Sequence, residues 1–137
     1  MRWQHPLVAA AAVGIGGAVG AVARWGLMLG GADHLGKSAS LLLVVNGTGC
    51  ALLAIVLVLG EHRLGSLSLR HVWRPLMATG VLGGFTSTSA FAGISLALGG
   101  LHGFVYAATS VAMGLGAFAA CQQLAMRWFA PRAGDLG

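Results

Sequence analysis

The stretch "GVLGGFTSTSAF", Gly80 to Phe91, lies inside an apolar run that extends from Pro75 to Leu98. Glycines at 80, 83 and 84 precede four consecutive hydroxyl residues, Thr86, Ser87, Thr88 and Ser89. A run of this length is read as a membrane-spanning helix, since about 20 apolar residues cross the hydrocarbon. Glycine weakens a helix, and Ser and Thr side chains can satisfy the backbone groups that a break sets free. Their clustering favours a broken helix over an intact one bent by hydroxyls bonding back to their own turn. Breaks at membrane depth are tolerated where protein or a water-filled cavity covers them, and their free carbonyls and amides can meet ions.

The rest of the chain supports a membrane setting. It has 137 residues, 57% of them hydrophobic and only 8% charged, with a mean hydropathy of +0.84. Soluble domains carry about a quarter charged residues, so too few polar groups remain here to coat a water-facing surface. Four runs are long enough to span: Leu7–Leu29, Ser40–Gly60, Pro75–Leu98 and Leu101–Met126. Each must satisfy its own backbone in lipid, which predicts helices. The expected fold is a single all-α integral membrane domain over residues 1–137, with four transmembrane helices, the third one broken. Polar "GGADHLGKSAS" and charged "EHRLGSLSLRHVWR" separate the runs, and "GGLHG" forms a tight turn. Residues 1–23 can also be read as a signal peptide ending in "AVA". The apolar run continues to Leu29, however, and favours a first span.

Charge outside the spans is asymmetric. Arg2, Arg63, Arg70, Arg74, Arg127 and Arg132 fall on one side and Lys37 on the other. The positive-inside rule then places both termini in the cytoplasm, in the cell inner or plasma membrane. The basic balance of +5 has no compact patch interleaved with aromatics, so nucleic acid is not an expected partner. Cys50 and Cys121 sit in apolar runs without a CxxC or a nearby His pair, and read as packing residues. The five histidines lie at the edges of the runs. No acid–base pair, activated nucleophile or metal cluster falls within the spans, so an enzyme is not expected.

Polar groups inside the spans are expensive and therefore informative. Arg24, late in the first span, costs about 2.5–3.5 kcal/mol on insertion scales unless it faces water or a partner, or snorkels to the interface. With no carboxylate in any span, a fixed positive charge there suits an anion. Asn46, in "VNGTG", offers two amide donors or an interhelical hydrogen bond. Tyr106, Ser110 and Gly114 share one helix face at i, i+4, i+8, either as a hydroxyl track or as a packing stripe. Glycine totals 23 residues, with GxxxG spacing at Gly16/Gly20, Gly26/Gly30 and Gly80/Gly84. Four helices enclose little volume, so these pairs are expected to serve dimerisation more than packing within the chain.

At these residues the chain resembles the fluoride channel family (Fluc, also called CrcB), through "GGAVGAVARW", "VNGTG", "GVLGGFTSTSAF" and the Tyr106–Ser110–Gly114 spacing in that order. The resemblance implies an antiparallel dimer with two fluoride paths and passive export of fluoride. It also implies a central sodium ion held by backbone carbonyls at the third-helix break, here at Gly83 and Thr86. Asn46 matches the pore-lining asparagine, Arg24 the first-helix arginine, and Phe91 one of two phenylalanines whose ring edges face the ion. The family's usual "TTFSTF" reads "TSTSAF" here, so Thr88 stands at the other aromatic position and Ala90 replaces a hydroxyl. The expected path residues are thus Arg24, Asn46, Thr88, Phe91, Tyr106 and Ser110. An aromatic edge is positive and threonine has none. The six-to-one charge bias fixes one orientation, and together with Thr88 it fits one half of a heterodimer better than a homodimer. Two other classes are weaker. A small multidrug-type exporter needs a membrane carboxylate, whereas Asp33, Glu61 and Asp135 lie outside the spans. A non-conducting structural subunit would use the same polar groups for helix packing alone.

Overall fold

The computed structural model describes residues 6–29, 34–62 and 72–129. Helix α1 (Pro6–Met28) starts on a proline, whose missing amide hydrogen would be unpaired in a first turn anyway. Helix α2 runs from Leu35 to His62. The third span is built in pieces: a π-helical segment α3 (Arg74–Leu82), the single turn α4 (Gly83–Phe85), two extended residues, and α5 (Thr88–Leu98). Helix α6 (Gly100–Phe129) completes the order.

Four segments are long and apolar enough to cross a membrane: Pro6–Met28, Leu35–Glu61, Arg74–Leu98 and Gly100–Phe129. The second begins five residues before the expected Ser40, because a helix does not stop where its apolar run stops. Ser38 N bonds His34 O at 3.0 Å and Ser40 Oγ donates to Gly36 O at 3.0 Å, so the polar lead-in winds into the helix. Glu61 therefore sits at the end of α2 rather than in a loop. The turn at "GGLHG" does form. Gly99 and Gly100 adopt φ of +63° and +43°, a region that side chains with a Cβ avoid. Of the arginines that define the charge bias, Arg2, Arg63, Arg70 and Arg132 lie outside the described residues.

The helices associate as two pairs, α2 on α6 and α1 on α3 with α4, while α5 leans on α6. Glycine accounts for the second pair and corrects one expectation. A Cβ on Gly16 would collide with the Leu76 carbonyl, one on Gly20 with the Val81 carbonyl, and one on Gly84 with the Gly17 carbonyl. A Cβ on Gly80 would stand 3.0 Å from the Gly16 Cα. Two of the three GxxxG pairs are consequently used inside the chain, face to face, rather than for dimerisation. Backbone-to-backbone approach of this kind is how membrane helices gain contact without a hydrophobic driving force. Gly26 has open space beside it, and its partner Gly30 lies outside the described residues.

The buried cluster is small: Ala39 and Leu42 of α2, Ile94 of α5 and Tyr106 of α6, with Phe91 and Leu98 packed against it. Large apolar side chains such as Ile15, Val22, Leu96, Leu101 and Phe104 are instead exposed. A lipid-facing surface has this inside-out distribution, since acyl chains are as apolar as leucine.

Candidate functional site

The break between α4 and α5 is the structural centre of the third span. Thr86 takes φ −78°, ψ 153° and Ser87 takes φ −142°, ψ 108°, both extended. Two residues out of the helical ladder leave carbonyls behind them and amides ahead of them without their usual partners. Hydroxyls and one amide take over. Thr86 N and Thr86 Oγ1 both donate to Leu82 O, at 2.9 and 3.0 Å. Ser87 Oγ caps α5 by accepting from Ala90 N at 3.1 Å, the usual role of serine at a helix start. Its backbone N–H donates to Asn46 Oδ1 at 3.1 Å, so α2 supplies an acceptor to the break. Asn46 thus uses its oxygen to hold the backbone, and its two Nδ2 donors remain for other partners.

An open cavity of about 430 Å³ lies against this break. Its wall includes Asn46 and Cys50 from α2, Thr86 to Thr88 at the break, Phe91 from α5 and Ser110 from α6. The structure therefore brings together four of the six expected path residues: Asn46, Thr88, Phe91 and Ser110. Tyr106 stands behind Phe91, their ring centroids 6.1 Å apart and 29° from parallel, and does not line the cavity. Arg24 lies on the other side of the break, where its Nε donates to Gly84 O at 3.4 Å. Ser110 is 9% exposed, and neither its hydroxyl nor the buried Tyr106 hydroxyl one turn away makes a hydrogen bond of good geometry among the described residues. A buried hydroxyl without a partner costs about 1–3 kcal/mol, so such groups are retained where something else meets them.

Cys50, Ser87 and Phe118 also line the cavity, although the sequence reading did not place them there. The signal for two of them was periodicity. Cys50 follows Asn46 by one helical turn, and Phe118 continues the Tyr106–Ser110–Gly114 stripe by another four residues. Cys50 fills the notch at Gly114, with Sγ 3.2 Å from the place of a Cβ.

Among the described residues there is no group of three or more His, Cys, Asp and Glu that could hold a metal. Carbonyl oxygens are the donors on offer. Ser87 N points to Asn46 instead of returning to Gly83 O, and the Gly83 backbone is exposed with nothing within 4 Å of a would-be Cβ. Thr86, being extended, also carries its carbonyl out of the helical ladder. Gly83 is exposed and Thr86 half-buried; oxygen ligands are what hard cations prefer.

The family described as "CrcB-like protein, Camphor Resistance (CrcB)" matches residues 11–122. A protein of Thermobifida fusca named "Fluoride-specific ion channel FluC 2" is 40% identical over 80 residues, 58% of this chain and 57% of the relative. "Fluoride-specific ion channel FluC 1" of Streptomyces coelicolor is 37% identical over 92 residues, 66% of this chain and 56% of the relative. "Fluoride-specific ion channel FluC" of Erythrobacter litoralis is 37% identical over 96 residues, 66% of this chain and 69% of that relative. The chain thus aligns with little more than half the length of the first two. No solved structure matches it. The family match takes in all four spans, the helix break and the asparagine that holds it: the chain belongs to the CrcB family of membrane proteins.

Proposed function

We propose that this chain is a subunit of a fluoride-selective channel that lets fluoride leave the cytoplasm down its gradient. The observation that carries the reading is the cavity at the helix break, which combines the Asn46 amide with the hydroxyls of Thr88 and Ser110 inside a chain of this family. Fluoride is small and holds water strongly, so a selective path must offer several donors in place of that water. Phe91 adds a ring whose edge is positive. None of these groups changes charge near neutral pH, as suits passive conduction rather than proton-coupled exchange.

The functional unit is an antiparallel dimer. Thr88, Ser89 and Gly83 are exposed at the break, and lipid-exposed irregular backbone is not tolerated at membrane depth. A second subunit over this face closes the open side of the cavity. Each subunit offers the Gly83 and Thr86 carbonyls to a sodium ion at the junction, and two subunits together reach the ligand number that one lacks. The six-to-one Lys and Arg bias sets a single orientation with both termini in the cytoplasm of the cell membrane, so the partner is a different family chain inserted the other way up. Relatives whose names carry the numerals 1 and 2 fit such a pairing.

Efflux from liposomes tests the reading, using the chain alone and the chain with a family member encoded beside it. Fluoride efflux without chloride efflux is the expected result for the pair. Efflux from the chain alone refutes the obligate heterodimer, and no efflux from either correctly inserted preparation leaves a structural subunit as the reading.

A further inference from the structure

Helix α1 carries Gly16, Gly20 and Arg24 at four-residue spacing, which places them in one stripe. The first two are pressed onto the backbone of α3 and α4. A Cβ on Gly20 would collide with the Val81 carbonyl and stand 2.7 Å from Phe85 N. With no side chain between the two helices at that level, the next member of the stripe arrives at the C-terminal end of α4. There Arg24 Nε donates to Gly84 O at 3.4 Å, from a half-buried position.

The Gly84 carbonyl has a specific vacancy to fill. In an unbroken helix its donor would be the amide four residues on, at Thr88. Thr88 lies past the break and is the first residue of α5. Carbonyls at a helix C-terminus also carry partial negative charge, which a cationic donor complements. Leu82 O, by contrast, is satisfied locally by Thr86 N and Thr86 Oγ1. On the far side of the break, Asn46 Oδ1 takes the Ser87 amide.

We infer that Arg24 is a positioning residue, whose Nε–H takes the place of the missing Thr88 amide on the Gly84 carbonyl. Arg24 from α1 and Asn46 from α2 hold the two lips of the break, one by donating and one by accepting. Arg24 is absent from the wall of the cavity, and its role is to keep Thr86 and Ser87 extended so that the cavity exists. This geometry is independent of which ion passes; only the flux measurement below rests on the fluoride reading.

Two variants that reach as far as Nε and lack the rest of the guanidinium separate a donor from its absence. Arg24→Gln keeps an N–H donor at the chain position of Nε and removes the charge. Arg24→Met keeps the length and removes both. Backbone hydrogen exchange is read by mass spectrometry over peptides covering residues 83–91 in the purified full chain. Arg24→Met is expected to raise exchange there on the order of tenfold or more, as expected for one lost hydrogen bond to a charged donor, while Arg24→Gln stays within a few-fold of the parent. If Arg24→Met cannot be recovered from membranes but Arg24→Gln is recovered at parental yield, the same conclusion holds. Equal exchange in all three proteins, or Arg24→Gln failing alongside Arg24→Met in exchange or in yield, overturns the inference. In liposomes that also hold the family member encoded beside it, Arg24→Gln is expected to retain fluoride efflux. Loss of efflux with native exchange would make Arg24 a charge on the path and not a positioning residue. Absence of efflux from the parent chain paired with the family member encoded beside it sinks the fluoride reading and leaves the exchange comparison intact.

Discussion

Replacing Asn46 by leucine removes the acceptor of the Ser87 amide while keeping the side chain's approximate volume. Ser87 is 8% exposed and its N–H donates to Asn46 Oδ1 at 3.1 Å, so water does not readily replace the lost oxygen. A buried donor left unpaired costs about 1–3 kcal/mol, or roughly a factor of 5 to 150 in the folding equilibrium at 1.4 kcal/mol per decade. Denaturant titration in detergent micelles should show this loss, and hydrogen exchange should place it at the start of α5. The companion variant Asn46→Asp keeps an oxygen where Oδ1 stands and removes the two Nδ2 donors. Exchange at Ser87 is expected to stay near that of the parent, but with fluoride efflux abolished, because an acceptor-only, ionisable group replaces the Nδ2 donors. If Asn46→Leu is as stable as the parent, with Ser87 exchange unchanged, the hydrogen bond across the break is not what holds it.

Two further outcomes follow from the same contacts. Gly20→Ala forces a methyl into the Val81 carbonyl and the Phe85 amide, and backbone cannot yield as a side-chain tip can; a loss of about 1–3 kcal/mol or more is expected in the same titration, whereas Gly26→Ala, with open space beside it, should change stability by less than about 0.5 kcal/mol. Cys50 is half-buried and lines the cavity, so a small methanethiosulfonate reagent is expected to label it in folded protein lacking Cys121 and to stop fluoride efflux, with Cys50→Ala immune to the block; labelling that leaves efflux untouched would place the ion path elsewhere.

Much of this was readable from the sequence, for reasons that differ by feature. The break was legible because glycines at 80, 83 and 84 and the hydroxyls from 86 to 89 weaken the helix and repair it within one short segment. Hydroxyl capping is local, and local rules act on neighbouring residues. Where polar side chains point across helices was not legible. Asn46 could be read as a donor to an ion or as packing glue, and only the position of α2 shows that its oxygen meets Ser87 N. The GxxxG pairs misled because their spacing states that a close contact exists and not with what. Gly16 and Gly20 could not be matched to Gly80 and Gly84 until α1 was seen beside α3. The start of α2 at Leu35 was missed since hydropathy marks where hydrocarbon ends, while a helix ends where its backbone partners do.

The same accounting of partners bears on what the proposed second subunit must bring. Within this chain Thr86 bonds Leu82, Ser87 bonds Ala90, Asn46 and Ser89, and Arg24 bonds Gly84. A partner's contribution is to be sought at the groups left over. Those are the buried hydroxyls of Ser110 and Tyr106, without a hydrogen bond of good geometry among the described residues, and the open side of the cavity, where Thr88 stands at a position to which the resemblance assigns an aromatic ring. A copy of this chain brings a second Thr88 together with its own Phe91. A different subunit bearing phenylalanine at the matching position would set a ring where this chain has Thr88. In the proposed heterodimer that subunit also takes the opposite orientation, so path chemistry and charge bias ask for the same partner.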